Sequence, residues 1–227
     1  MQRRQFTTGG LFVLAAGPGG VRAAAFGEAD AAQAVRVALE RGANAAVDQL
    51  GRADGFLGNP RVRIPLPGAL NSAAMLLKAI GQQKQLEELL IAMNRAAEAA
   101  VPLARTLLVN TAKAISVADA IKIVRGGETS VTDYFAGKTR LPLAEQFLPI
   151  VTKATEKVDL ASQYNALAGK AGQFGLLKGD ELNVQRYVTA KSLDGLFLMI
   201  GEEERKIRRD PIGSGSGSAI LKKVFGS

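Results

Sequence analysis

The chain has 227 residues, 29 Lys and Arg against 21 Asp and Glu, a formal net charge of +8, and no Cys, His or Trp. Without thiols there is no disulfide framework, no thiolate zinc or iron–sulfur site and no cysteine nucleophile; without imidazole there is no Ser-His-Asp triad, no histidine general base and no usual zinc or haem ligand. Apolar residues make up 47% and aromatics 5%, so the expected core is Ala, Leu, Val and Ile, in a chain of a length for one domain.

The first 25 residues read as an address. Arg3 and Arg4 form a twin-arginine pair ahead of Phe6. A weakly apolar segment, residues 11–16, follows between glycines, and Arg22 precedes Ala23-Ala24-Ala25. This order resembles a twin-arginine translocation (Tat) signal, with cleavage expected between Ala25 and Phe26 and a periplasmic destination. Cleavage there removes three arginines and no acid, which lowers the net charge from +8 to +5. No apolar run approaches the roughly 20 residues of a membrane-spanning helix. A mild basic excess without interleaved aromatics does not point to nucleic acid.

Residues 26–212 read as a helical domain. Apolar spacing predicts a helix over 29–50, with Asp30 near its start and Gly51 past its end. Residues 51–66 form a long loop punctuated by Asp54-Gly55, Gly58-Asn59-Pro60 and Pro65, either functional or packed down. In it Arg61 and Arg63 alternate with Val62 and Ile64, so one side can be buried while the other presents two positive charges. A second helix is predicted over 67–80. A long periodic stretch over 83–115 should kink or break near 99–102, because Pro102 lacks an amide donor and clashes with the preceding turn. Ser116 is placed to cap 117–124, and Gly126-Gly127 stops that helix. Two further helices are expected over 130–137 and 142–158, separated at Gly137 and Pro142. Asp159 is placed to cap a helix ending near Gly169 and Lys170, and Asn183 to cap a long helix ending at Arg209. Residues 213–218 repeat Gly-Ser as a linker, and residues 219–227 form an apolar-basic tail. No run alternates long enough for a strand. The expectation is an all-α, single-domain bundle of about seven to nine helices, preceded by a cleavable signal peptide.

Three polar groups stand out as candidates. In the helix 183–209, Leu193, Leu196, Ile200, Glu203 and Ile207 share one stripe, which carries Glu203 toward the core; a buried carboxylate must be paired or protonated, which makes it a candidate functional acid. The plainer reading is a structural salt bridge or an edge position. Glu202 and Glu204, four residues before Lys206 and Arg208, read as a solvated face. The second group is Asn94, Arg95 and Glu98, where Arg95 can orient Glu98 or both can line a polar cleft; a local ion pair between helices is the plainer reading. The third is Tyr164 and Asn165, where a buried Tyr with a polar tip is usually structural. Gly169-Lys170-Ala171-Gly172 lacks the spacing and strand of a phosphate loop. No acidic cluster has the spacing of a metal site, and no cofactor is implied.

Taken together, Asn59-Pro60-x-Val62-Arg63-Ile64-Pro65-Leu66-Pro67, Asn94-Arg95-Ala96-Ala97-Glu98-Ala99-Ala100, Tyr164-Asn165-Ala166-Leu167, Leu193 through Ile200, Glu202-Glu203-Glu204, Lys206-Ile207-Arg208, Asp210-Pro211 and Leu221 through Gly226 resemble a family of uncharacterised bacterial exported proteins, domain of unknown function 4197. The resemblance runs from about residue 30 to the end. It implies a helical exported domain and carries no activity.

The functional expectation is a non-enzymatic periplasmic domain that binds a lipid or another apolar or amphiphilic ligand, or a protein of the envelope, through residues such as Arg63, Asn94, Arg95, Glu98, Tyr164, Asn165 and Glu203. One alternative is a carboxylate hydrolase in which Glu98 and Glu203 meet and divide acid and base roles. Another is a structural envelope protein that docks through its tail. The oligomeric state is not legible in the sequence.

Overall fold

The structure is a computed structural model; it describes residues 27–173, 179–210, 221, 222 and 224. The leader with Arg3, Arg4, Ala25 and Phe26, and the Gly-Ser repeat, lie outside the described residues. Among the described residues there are eight α-helices and two 3-10 turns and no strand.

The first helix, α1 (Glu28–Leu50), opens with Glu28 and Asp30 against the positive end of the helix dipole, and the Asp30 carboxylate accepts from the Gly27 amide at 3.3 Å. It ends at Gly51, whose amide donates to the Val47 carbonyl. Then come α2 (Gly68–Ala79), α3 (Gln83–Ala100) and α4 (Ala104–Lys113). The expected break at Pro102 is a 3-10 turn over Val101–Leu103, which separates α3 from α4. α5 (Val117–Arg125) is capped as predicted, with Ser116 Oγ accepting from the Asp119 amide at 3.1 Å.

The expected division into helices over 130–137 and 142–158 is wrong. A single helix, α6 (Ser130–Thr155), passes through both Pro142 and Pro149. Its buried residues Val131, Phe135, Thr139, Leu143, Phe147, Val151 and Thr155 recur every four positions across both prolines. Packing on α3, α4 and the last helix outweighs the two missing amide donors, each a loss of one helical hydrogen bond.

α7 (Asp159–Gln173) continues past the predicted stop near Gly169 and Lys170. One glycine is a weak terminator when the helix is held by tertiary contacts, here Leu160, Ala161, Tyr164 and Ala168. A 3-10 turn over Gly179–Leu182 leads to α8 (Val184–Arg209), where Asn183 Oδ1 caps the start by accepting from the Arg186 amide at 3.1 Å.

α8 is the central element. It packs on α1, α3 and α6, and sixteen of its residues are buried, among them Leu193, Leu196, Phe197, Met199 and Ile200. Glycines let its neighbours approach. A methyl on Gly42 would lie 3.6 Å from Glu203 Cβ, and one on Gly195 only 2.7 Å from the Phe56 ring. The main core joins α1, α3, α4, α6, α7 and α8, and a smaller cluster of Ala34, Ala38, Ile207, Leu221 and Val224 seals the tail onto α1 and α8. Among the described residues no helix is long and apolar enough to cross a membrane.

Candidate functional site

The polar candidates of α3 act on the long loop over 51–67. Asn94 is fully buried. Its Oδ1 accepts from the Ile64 amide at 2.8 Å while its Nδ2 donates to the Ile64 and Leu90 carbonyls at 2.9 and 2.8 Å. One turn on, Glu98 Oε1 accepts from the amides of Phe56 and Leu57, both at 3.0 Å, and its Oε2 accepts from Arg95 Nη1 at 2.7 Å. Arg95 Nη2 donates to Asp54 Oδ1 at 2.8 Å. Asp54 has a φ of +63°, in the left-handed region that Asp tolerates better than most residues, and the ion pair with Arg95 helps hold it there. Glu98, and secondarily Asp54, raise the pKa of the Arg95 guanidinium.

These groups are loop anchors. Asn94 and Glu98 satisfy loop backbone that would otherwise be buried without partners, and Arg95 ties Glu98 to Asp54 of the loop. The loop is packed down: Phe56, Val62 and Ile64 enter the core, and Tyr187 Oη donates to the Pro65 carbonyl at 3.2 Å. Val62 and Ile64 point in and Arg61 and Arg63 point out, as the alternation predicts. Only one of the two expected charges is free, because Arg61 pairs with Glu202 of α8. Arg63 has no ion-pair partner among the described residues and lines a cleft of about 230 Å³ with Lys191, Asp194 and Leu198.

Tyr164 and Asn165 anchor the start of α8 in the same way. Tyr164 Oη donates to the Glu181 carbonyl at 2.7 Å. Asn165 accepts from the Val184 amide and donates to Gln185 Oε1, both at 2.8 Å. Gln185 in turn donates to Thr155 Oγ1 at the end of α6. Burial, then the nearby Glu181 carboxylate, raises the Tyr164 pKa above the ordinary tyrosine value.

The acids of α8 correct the sequence reading. Glu203 is only partly buried and pairs with Lys206 at 2.6 Å near the protein surface, the plain edge salt bridge. Glu202 and Glu204, expected on a solvated face, are the buried ones, at 8% and 4% exposure. Glu204 reaches α6: its two oxygens accept from the amides of Val131 and Thr132 and the Thr132 hydroxyl at 3.0–3.1 Å. It supplies from another helix the carboxylate that an α-helix start favours. Arg208 donates to Glu204, to the Ile123 carbonyl and to Ser130 Oγ, so one ion pair locks α5, α6 and α8 together. The register error has a simple cause. Burial follows the partners: Glu202 meets Arg61 of the loop and Glu204 the start of α6, contacts between distant segments that residue spacing does not encode.

Glu98 and Glu203 share no partner. Glu98 holds the backbone of Phe56, whose ring meets α8 at Gly195, about 12 Å along the helix from residue 203. Each carboxylate is engaged by its own partners, Glu98 by the loop amides and Arg95 and Glu203 by Lys206.

An open cleft lies between α6 and α8, which residue spacing did not reveal. It has a volume of about 450 Å³ and is lined by Leu141, Ala144, Leu148, Ala190 and Leu193, with Arg140, Glu145, Asp180 and Arg186 around it. Leu141 is 78% exposed. Arg140 is committed to Asp194 at 2.8 Å and sits over the Phe197 ring. The Arg186 side chain has no partner among the described residues. Among the described residues no group of three or more Asp and Glu could hold a metal ion.

The fold and its anchors define an all-α domain in which most buried polar side chains serve the architecture. Within that class, a family model described as protein of unknown function (DUF4197) matches residues 25–226, and the chain belongs to that family. No curated protein and no solved structure is significantly similar to it.

Proposed function

We propose that the protein is an exported, non-enzymatic binding domain whose α6–α8 cleft takes an amphiphilic small molecule. The observation that carries this reading is the lining of the cleft. Its volume of about 450 Å³ falls in the range of small-molecule sites, and it combines aliphatic side chains with exposed ionic groups. With Arg140 held by Asp194, the groups left for a ligand are the Arg186 guanidinium and the Glu145 and Asp180 carboxylates. That set matches a head group bearing both a phosphate or carboxylate and an amine, with a short acyl chain over Leu141, Ala144, Leu148 and Leu193.

Export rests on the order of segments in the leader: paired arginines, a weak apolar stretch and small residues before Phe26. The family match, which leaves out the first 24 residues, is consistent with a removable leader.

One experiment addresses both parts. The protein is expressed in a bacterial host with its own leader, recovered from the periplasmic fraction and measured by native mass spectrometry, then titrated with lysophosphatidylethanolamine. The expected result is a chain beginning at Phe26 that binds the lysolipid saturably, with binding lost in Ala190→Trp and in Leu141→Asp and the helical melting curves retained. Retention in the cytoplasm with the leader intact overturns export. Binding unchanged in both folded variants, or no binding by the parent, overturns the cleft reading.

A further inference from the structure

α2 is weakly integrated. Of its twelve residues only Leu70 is buried, and its main neighbour is α3. Half-buried Ala73, Ala74 and Leu77 complete the face laid on the bundle. The opposite face is apolar too. Met75, Leu76 and Ile80, the last at the helix end, are 82%, 73% and 72% exposed, with exposed Ala69 and Ala79 beside them. Apart from Asn71, Ser72 and Lys78 the outward side of α2 is aliphatic, and exposed aliphatic side chains grouped in this way mark an interaction surface.

The charges around the patch indicate what covers it. Lys78 is the one ionised side chain of α2, and residues 55–86 hold Arg61, Arg63, Lys78 and Lys84 with no Asp or Glu. Arg61 is tied to Glu202, Lys84 lies 3.7 Å from Glu88, and the Glu181 carboxylate approaches the helix start at Gly68. Lys78 and Arg63 have no ion-pair partner among the described residues. Lys78, on α2 itself, is thus an exposed and unpaired positive charge beside the aliphatic side chains.

A second copy of the chain fits poorly. A helix of twelve residues is about 18 Å long and about 10 Å wide, so one face of it falls well short of the roughly 800 Å² that each partner contributes to a standard interface. A lipid surface has no such requirement. It accepts a few aliphatic side chains, and a lysine at the edge extends its stem along the apolar face and leaves its ammonium at the phosphates.

We propose that α2 docks the protein on an anionic lipid bilayer, with Met75, Leu76 and Ile80 inserted at the interface and Lys78 at the level of the phosphates. This surface is separate from the α6–α8 cleft and does not depend on the cleft holding a ligand.

The test is flotation of the full chain with vesicles of phosphatidylglycerol and phosphatidylcholine, and with phosphatidylcholine alone. It compares the parent with Met75→Ser/Leu76→Ser/Ile80→Ser and with Lys78→Glu. The leader is common to all variants, so the comparison isolates α2. The expected result is at least a tenfold drop in partitioning onto anionic vesicles for the triple variant and a smaller drop for Lys78→Glu, with unchanged melting. Partitioning equal in parent and triple variant overturns the proposal. So does a parent that ignores vesicles but sediments as a dimer dissociated by the triple variant, which assigns the face to a second copy. Ala190→Trp should still float, so failure of the cleft reading leaves this result distinct.

Discussion

Gly195 shows how a single residue can carry the meeting of loop and helix. In an exposed helix interior, Ala is favoured over Gly by about 1 kcal/mol. Here a methyl would stand 2.7 Å from Phe56 Cε1 and 3.3 Å from Val62 Cβ, and Phe56 is fully buried with no room to yield. Gly195→Ala is therefore expected to destabilise the protein by about 1–3 kcal/mol, the usual range for overpacking, seen as a lower urea midpoint. Gly137 of α6, where a methyl meets nothing within 4 Å, is the control: alanine there should be neutral or stabilising. Asn94 and Glu98 stand out in the sequence as polar residues in an alanine-rich helix. Their roles do not, because their partners are backbone amides of the loop some 30 to 42 positions earlier. The same holds for Glu204, which meets the start of α6 some 70 positions before it. Local periodicity reports which way a side chain points and not whether another helix stands there.

Among the elements, caps and breaks were readable because their chemistry is local. Ser116, Asn183, Gly51 and Pro102 act within a turn of their own positions. α6 is not legible as one helix because Gly137, Pro142 and Pro149 weigh against a helix locally, while the four-residue stripe from Val131 to Thr155 favours it only when α3 and α8 cover it. The tail is the converse. Its apolar and basic character is plain in the sequence, but its seat on Ala34, Ala38 and Ile207 is not. Leu221 and Val224 are buried there at 0% and 3% exposure, which uses the tail's described apolar side chains within the molecule. Removing residues 219–227 should lower stability by about 2–4 kcal/mol, given roughly 1.5–3 kcal/mol for each buried aliphatic side chain and a partly collapsed unfolded state. Chemical denaturation of the truncated chain measures this directly, and an unchanged midpoint would show that the seat contributes nothing.

For the whole molecule, the tyrosines couple stability to alkaline pH. Burial raises the pKa of Tyr134, Tyr164 and Tyr187 above the ordinary value of 10.0. Each then holds its proton more tightly in the folded state. Their contribution is complete below about pH 10 and is lost as pH rises from there through the raised folded values. The melting temperature should fall above that point, and fall less steeply in Tyr164→Phe/Tyr187→Phe, which has two fewer phenols to ionise. Equal slopes in the two proteins would remove the tyrosines from the account.

The all-helical class, the family and the chemistries ruled out by lack of Cys and His follow from the one-dimensional chain, since composition and 3.6-residue periodicity need no partner to be read. The joining of α6 across its prolines, the burial of Glu202 and Glu204 in place of Glu203, the conversion of candidate site residues into loop anchors, and the cleft between α6 and α8 emerge only on folding. Each is a relation between segments far apart in sequence, and burial and hydrogen bonding are properties of the space between them.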